Sequence, residues 1–148
     1  MSTSAPTETY VSDSPERTAQ IAADAALRLA AGDIVLLRGE LGSGKTVFVR
    51  GAADALGFTG RVTSPTFAIG NVYSGAELEI AHLDLYRLGE IEIDDEAVVG
   101  DFLTPQRIGF VEWPHDQLGV EAKPRAIVSL AHAGEDRRTI EIDWIDAK

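Results

Sequence analysis

Residues 34–50 read IVLLRGELGSGKTVFVR and place an apolar run, a glycine-rich loop and an amphipathic segment in direct succession. The apolar run at 34–37 is typical of a strand that is buried on both faces of a sheet. From Thr46 onward, apolar residues recur at helical spacing as far as Leu56, and Gly57 follows as a natural helix stop. This order predicts a buried strand, a loop at its end and a helix.

The loop at 39–46 fits the pattern G-x-x-x-x-G-K-[ST] without a mismatch. Glycines permit positive φ and let successive backbone N–H groups approach phosphate oxygens, and the start of a helix adds its positive dipole end. Lys45 is expected to reach the β and γ phosphates, and the Thr46 hydroxyl to bind Mg²⁺. The predicted phosphate-binding residues are Glu40, Leu41, Gly42, Ser43, Gly44, Lys45, Thr46 and Val47.

A phosphate loop of this type works with an acidic side chain at the end of a neighbouring strand, which holds Mg²⁺ or its waters. Glu112 ends the apolar strand predicted at 108–111, and Asp84 lies near the end of a strand predicted at 77–85. Either residue taken alone could instead be a surface acid, although chain context favours Glu112. Thr66, within TSPTF at 63–67, either faces the γ-phosphate or belongs to a proline turn that starts a strand.

The remaining pattern predicts an α/β fold of the P-loop NTPase-like, three-layer kind: a central mixed sheet flanked by helices, with antiparallel strands added at one side. Ser14 and Pro15 start a helix that is expected to continue to Ala31. Hairpins are predicted at 67–85 and 125–145, and an exposed helix at 90–99. Residues 1–9 are predicted to be a disordered tail, and residues 10–148 a single domain.

Composition restricts the classes of function. The net charge is −11, from 24 acidic residues against 13 Lys and Arg, which disfavours autonomous binding to nucleic acid. The chain has no cysteine, which excludes disulfides and thiolate metal sites. His82 and His115 are isolated and do not form a metal site by spacing. No signal peptide or membrane helix is predicted, so the expected location is the cytoplasm.

The sequence favours ATP over GTP because it contains no Asn-Lys-x-Asp motif for guanine. A small-molecule kinase would need a second substrate pocket and an arginine-rich lid, whereas the arginines here are scattered. Arg87 is the nearest candidate for an arginine finger; the alternative is that it pairs with the acidic segment that follows it. The residues alone therefore predict Mg-dependent ATP binding and slow hydrolysis, with the kinase as a rival hypothesis.

Four strings in order resemble the TsaE (YjeE) family: GELGSGKT at 39–46, SPTF at 64–67, HLDLYR at 82–87 and VEWP at 111–114. The resemblance runs from about residue 16 to residue 142. The phosphate loop by itself is generic, but the other strings at these spacings are specific. The family is the ATPase component of bacterial tRNA threonylcarbamoyladenosine synthesis.

The resemblance implies roles for individual residues. Lys45 and the loop amides would hold phosphate, and Thr46 and Glu112 would lie at Mg²⁺. Thr66 would belong to a switch-like loop, and Asp84 would be needed for hydrolysis. Residues on the base side of the nucleotide would be Thr18 and Arg138. His115 and Asp116 follow the last string where relatives often carry another acidic or amide residue, so neither is assigned to the metal.

The resemblance also implies partners: homologues of TsaB and TsaD, which together modify adenosine 37 of ANN-decoding tRNAs. Contact with tRNA would then be indirect, through the complex. ATP turnover would reset or activate that complex. A second rival hypothesis is a nucleotide-dependent assembly switch, in which binding rather than hydrolysis carries the function.

Overall fold

The computed structural model describes residues 4–40, 42–58, 70–74, 78–84, 102–112 and 124–145. Two helices and seven strands follow one another along these residues. In chain order they are β1 (Ser4–Ser12), α1 (Pro15–Ala26), β2 (Ile34–Gly39), α2 (Lys45–Ala55), β3 (Gly70–Ser74), β4 (Glu79–Asp84), β5 (Arg107–Glu112), β6 (Ala126–His132) and β7 (Arg138–Ile145).

The described strands form one mixed sheet in the order β1-β7-β6-β2-β5-β4-β3. The four central strands β6, β2, β5 and β4 are parallel to one another. Antiparallel pairs extend the sheet on both sides, β7 and β1 beyond β6 and β3 beyond β4. The predicted α/β fold with buried parallel strands is confirmed, but the antiparallel strands were expected at one side of the sheet and lie at both.

Parallel strands end at the same edge of a sheet, and this places the ends of β2, β4 and β5 together. We refer to the edge formed by Gly39, Asp84 and Glu112 as the carboxyl edge. Glu112 is in register with Leu37 of β2 on one side and with Asp84 of β4 on the other. On the far side of β2, Gly39 is in register with Leu130 of β6. The phosphate-loop motif therefore begins at the edge where the strands of Asp84 and Glu112 end.

The core lies mainly between the sheet and the two described helices, which pack against each other. Val35 and Leu37 of β2 join this core, whereas Leu36 between them faces the opposite side and packs with Leu83 and Val111. Burial of both faces explains the continuous apolar run of β2, since each fully buried side chain of this size contributes about 1.5–3 kcal/mol. Phe102 and Leu103 partly cover the second face.

Helix α1 begins as predicted but ends earlier. The Ser14 side chain accepts a hydrogen bond from Arg17 N at 3.0 Å and caps the helix. The helix was expected to continue to Ala31 but ends at Ala26. Leu29 N bonds to the carbonyl three residues back at Ala26, and Ala30 N donates to the Asp33 carboxylate at 2.8 Å. These local bonds replace the helical pattern before β2.

Strand β1 corrects the expectation of a disordered tail through residue 9, because residues 4–9 lie in the sheet. The strand pairs with β7, and its first residue, Ser4, is in register with Ile145. Its Glu8 carboxylate accepts hydrogen bonds from Arg28 Nη1 at 2.9 Å, from the Tyr10 hydroxyl at 2.9 Å and from Trp144 Nε1 at 3.2 Å. The strand is held by partners distant in sequence, which a polar composition does not reveal.

The predicted hairpins are confirmed within the described residues as β3–β4 and β6–β7. The helix predicted at 90–99 lies outside the described residues. Neither α1 nor α2 has the combination of length and hydropathy that a helix needs to cross a bilayer.

Candidate nucleotide site at the carboxyl edge

The loop between β2 and α2 requires glycine at two positions for different reasons. Gly44 caps α2 with φ +109°, a conformation that L side chains rarely adopt. At Gly39 the restriction is also one of space, since a Cβ there would lie 2.5 Å from Ser43 Oγ and 2.6 Å from the Leu130 carbonyl oxygen. The motif glycines therefore permit both the turn and the close passage of the loop past β6.

Lys45 begins α2 and turns back over the loop. Its ammonium group donates to the carbonyl oxygens of Gly39 at 2.6 Å and Glu40 at 3.1 Å, and the residue is only 8% exposed. A buried ammonium is costly unless it is hydrogen-bonded. These contacts hold the charge beside the amides of the loop and of the first helical turn, which is the arrangement that binds anions at a helix N-terminus.

Ser43 provides a test of whether the loop suits a phosphate ligand. The residue is fully buried, and its Oγ is the one buried side-chain polar atom among the described residues that has no hydrogen-bond partner. An unsatisfied buried hydroxyl costs about 1–3 kcal/mol. Phosphate oxygens are acceptors to which a serine hydroxyl can donate. The residues present therefore fit an oxygen-rich anion such as a phosphate group.

Glu112 lies at the end of β5 and is 5% exposed. Its Oε2 is 2.7 Å from His82 Nε2, and His82 is fully buried. From the sequence His82 was expected to be isolated, because its partner Glu112 is 30 residues away in the chain. The available signal was the pairing of two parallel strands. Strands β4 and β5 place residues 82 and 110 in register, and residues 84 and 112 two positions further on, so residues 82 and 112 are diagonal neighbours.

The two residues expected on the base side of the nucleotide both lie next to the loop. Arg138, at the start of β7, donates from Nη2 to the Gly42 carbonyl oxygen at 3.3 Å. Thr18 of α1 is buried, and its Oγ1 lies 2.7 Å from Ser12 Oγ. A Cβ placed on Gly44 would be 3.9 Å from Thr18 Cγ2. Contact of either residue with a nucleotide stays a prediction.

Two of the predicted site residues, Leu41 and Thr66, lie outside the residues that the structure describes. Asp84 is described through the backbone of β4, where it is in register with Glu112. The other predicted phosphate-binding residues lie in the loop and in the first turn of α2: Glu40, Gly42, Ser43, Gly44, Lys45, Thr46 and Val47. The described residues contain no group of three His, Cys, Asp or Glu that could hold a metal ion.

Comparison with known proteins identifies similar chains. The family model described as threonylcarbamoyl adenosine biosynthesis protein TsaE matches residues 12–140. The tRNA threonylcarbamoyladenosine biosynthesis protein TsaE of Bacillus subtilis (strain 168) is 39% identical over 129 residues, covering 85% of this chain and 78% of the relative. The protein of the same name from Synechocystis sp. is 43% identical over 93 residues, covering 60% and 59%. The crystal structure of Bacillus subtilis YdiB matches with a TM-score of 0.72 and 31% identity, covering 95% of this chain and 87% of that one.

Proposed function

Because the chain belongs to the TsaE family, we propose that it binds Mg·ATP, hydrolyses it slowly, and thereby supports homologues of TsaB and TsaD in making threonylcarbamoyladenosine in tRNA. The names of its relatives support the tRNA-modification part of this proposal. The nucleotide part is supported by one arrangement: a buried Lys45 and an unpartnered Ser43 hydroxyl around a glycine loop, at the sheet edge where Glu112 ends β5.

In this proposal the loop binds the triphosphate tail. Backbone amides of the loop and of the first turn of α2 donate to phosphate oxygens, and the Lys45 ammonium neutralises negative charge on them. Arg138 and Thr18 lie on the side of the loop where α1 and β7 approach it. We propose that they contact the rest of the nucleotide.

Thr46 and Glu112 would hold Mg²⁺, which supplies neutralisation of phosphate charge when bound. Asp84 or Glu112 would orient the water that attacks the γ-phosphate, and Thr66, which lies outside the described residues, would act as a switch element. Positioning and electrostatic stabilisation carry most of the catalysis in phosphoryl transfer. No arginine finger is assigned, so the isolated protein is expected to turn over slowly.

Calorimetric titration with Mg·ATP tests the nucleotide part. The wild-type protein is expected to bind with saturation, and Lys45→Met to bind at least roughly tenfold more weakly, since hydrogen bonds to charged groups contribute about 1.5–3 kcal/mol. Arg50→Ala is the matched control, since Arg50 is an exposed cation on the same helix. Absence of saturable binding by folded wild-type protein would overturn the proposal.

A second experiment separates hydrolysis from its rivals. Asp84→Asn is expected to bind ATP but not hydrolyse it, and to fail to support tRNA modification with the TsaB and TsaD homologues. Full support by this variant would instead establish an assembly switch. Transfer of labelled γ-phosphate to a metabolite rather than to water would establish a kinase. Nucleotide-dependent co-elution with the purified homologues tests the predicted partners.

A further inference from the structure

Four side chains form a hydrogen-bonded chain across β3, β4 and β5 that ends on Glu112. Asn71 Nδ2 donates to the Tyr73 hydroxyl at 3.3 Å, and that hydroxyl lies 3.3 Å from His82 Nδ1. His82 Nε2 in turn lies 2.7 Å from Glu112 Oε2. Tyr73, His82 and Glu112 are all buried, with exposures of 7%, 0% and 5%. This chain, the relay, contains three residues that the phosphate chemistry above does not use.

The contact with Glu112 requires a proton on one particular nitrogen of His82. An ionised carboxylate only accepts, so a hydrogen bond between His82 Nε2 and Glu112 Oε2 needs the proton on Nε2. On the other side of the ring, Nδ1 lies within hydrogen-bonding distance of the Tyr73 hydroxyl, which accepts from Asn71. With the proton on Nδ1 instead, the Nε2 lone pair would face a carboxylate oxygen.

We propose that His82 is a positioning residue: it fixes the rotation of the Glu112 carboxylate so that this group is presented to Mg²⁺ in one orientation, while Tyr73 holds the imidazole by its other nitrogen. The proposal rests on the proposed ATPase function, in which Glu112 is a metal ligand. A carboxylate held at one oxygen has a defined direction for the other. Hydrogen-bonded partners of metal ligands commonly set ligand orientation, and their loss weakens metal affinity by roughly 10–100-fold.

The simpler alternative is that His82 only satisfies a buried carboxylate and stabilises the fold. Both roles lower thermal stability when His82 is replaced by leucine, so stability cannot separate them. A purely structural role does not change the Mg²⁺ requirement of a variant that still folds. Replacement by glutamine separates the roles further, because its amide nitrogen reaches the position of Nε2 and can donate to Glu112.

The protonated nitrogen of His82 can be observed directly by ¹⁵N NMR of the ligand-free protein at pH 8. The chain has three histidines, and the His82 signals are those lost in His82→Gln. The proposal requires a proton on Nε2. A ring protonated on Nδ1 alone would overturn it.

The functional test compares wild type, His82→Leu, His82→Gln and the control His132→Leu at an exposed histidine, after melting curves show that each is folded. Calorimetry measures the Mg²⁺ concentration needed for half-maximal ATP binding, and kinetics measure KM for ATP and kcat at saturating Mg²⁺. His82→Leu is expected to raise the Mg²⁺ requirement by roughly 10–100-fold, with KM for ATP unchanged once Mg²⁺ saturates. His82→Gln is expected to restore most of the loss.

An unchanged Mg²⁺ requirement in His82→Leu would overturn the inference while leaving the ATPase intact, as would a glutamine variant no better than leucine. The proposed function would fail in a different experiment, in which the wild-type protein binds no Mg·ATP, or binds it no better than Lys45→Met does. The positioning role would then fail as well, because it requires Glu112 to be a metal ligand.

Discussion

Arg138 donates a hydrogen bond from Nη2 to the carbonyl oxygen of Gly42, 3.3 Å away, and so ties the start of β7 to the phosphate loop. The two residues are 96 positions apart in the chain. Ser12, the last residue of β1, is in register with Arg138 and contacts Thr18. The antiparallel side of the sheet thus supports one flank of the loop.

Loss of the Arg138 contact is expected to weaken nucleotide binding without unfolding the protein. A hydrogen bond contributes about 0.5–1.5 kcal/mol, so Arg138→Ala should raise the Kd for Mg·ATP roughly two- to tenfold. Arg137→Ala removes a neighbouring exposed cation and is the matched control. Calorimetry on both variants checks the prediction, and equal effects would show that only net charge matters.

Gly39→Ala is expected to destabilise the protein by about 1–3 kcal/mol, as overpacked substitutions do, and to abolish ATP binding. The new Cβ would press against Ser43 Oγ and the Leu130 carbonyl. Gly134→Ala is the control for backbone strain, because Gly134 has a similar φ of +142° against +153°, yet its nearest neighbour would be 3.8 Å away. Denaturant titration should place Gly39→Ala clearly below the control in stability; equal losses would attribute the effect to φ alone.

Gly51→Ala tests the packing of α1 against α2. A Cβ at Gly51 would collide with backbone atoms of Ala19. Alanine otherwise favours a helix by up to about 1 kcal/mol over glycine, so the sign of the change is informative. We expect a net loss of stability in denaturant titration. Asp54→Ala, at an exposed site on the same helix, should show no such loss, and a stabilised Gly51→Ala would show that the helices separate easily.

The pH dependence of stability should contain a contribution from Glu8. Burial raises the pKa of this carboxyl, but hydrogen bonds from Arg28, Tyr10 and Trp144 together outweigh burial and bring the pKa below its ordinary value of 4.5. Since the unfolded chain then takes up the proton more readily, the stabilisation is present above about pH 4.5 and is lost as the pH falls through the folded-state pKa.

Glu8→Gln is accordingly expected to lower stability at neutral pH and to reduce the loss of stability in that acidic window. Denaturant titrations of both proteins from about pH 3 to pH 7 measure the difference. Glu135→Gln, at an exposed turn residue, is the control. Parallel curves for wild type and Glu8→Gln across the window would contradict the prediction.

Local pattern was sufficient for the loop, for α2 and for the buried strands, because glycine placement, helical spacing and continuous apolar runs each report on neighbouring residues. Local pattern failed where the structure depends on residues that are distant in the sequence. Strand β1 is held by hydrogen bonds that Glu8 accepts from Arg28 and Trp144. After α1, the Asp33 carboxylate accepts a hydrogen bond from Ala30 N in place of a helical carbonyl. His82 acquires its partners only when three strands are placed side by side. For the site, pattern located Lys45 and Glu112 at one edge but not the relay behind Glu112.

Ser4 and Ile145 are paired at the end of the sheet opposite the phosphate loop, since β1 and β7 both have their other ends, Ser12 and Arg138, beside it. A fluorophore, affinity handle or surface tether attached near either residue would therefore lie a full strand length from the loop. Single-molecule or immobilised assays can use that side of the molecule and leave the loop accessible to solution.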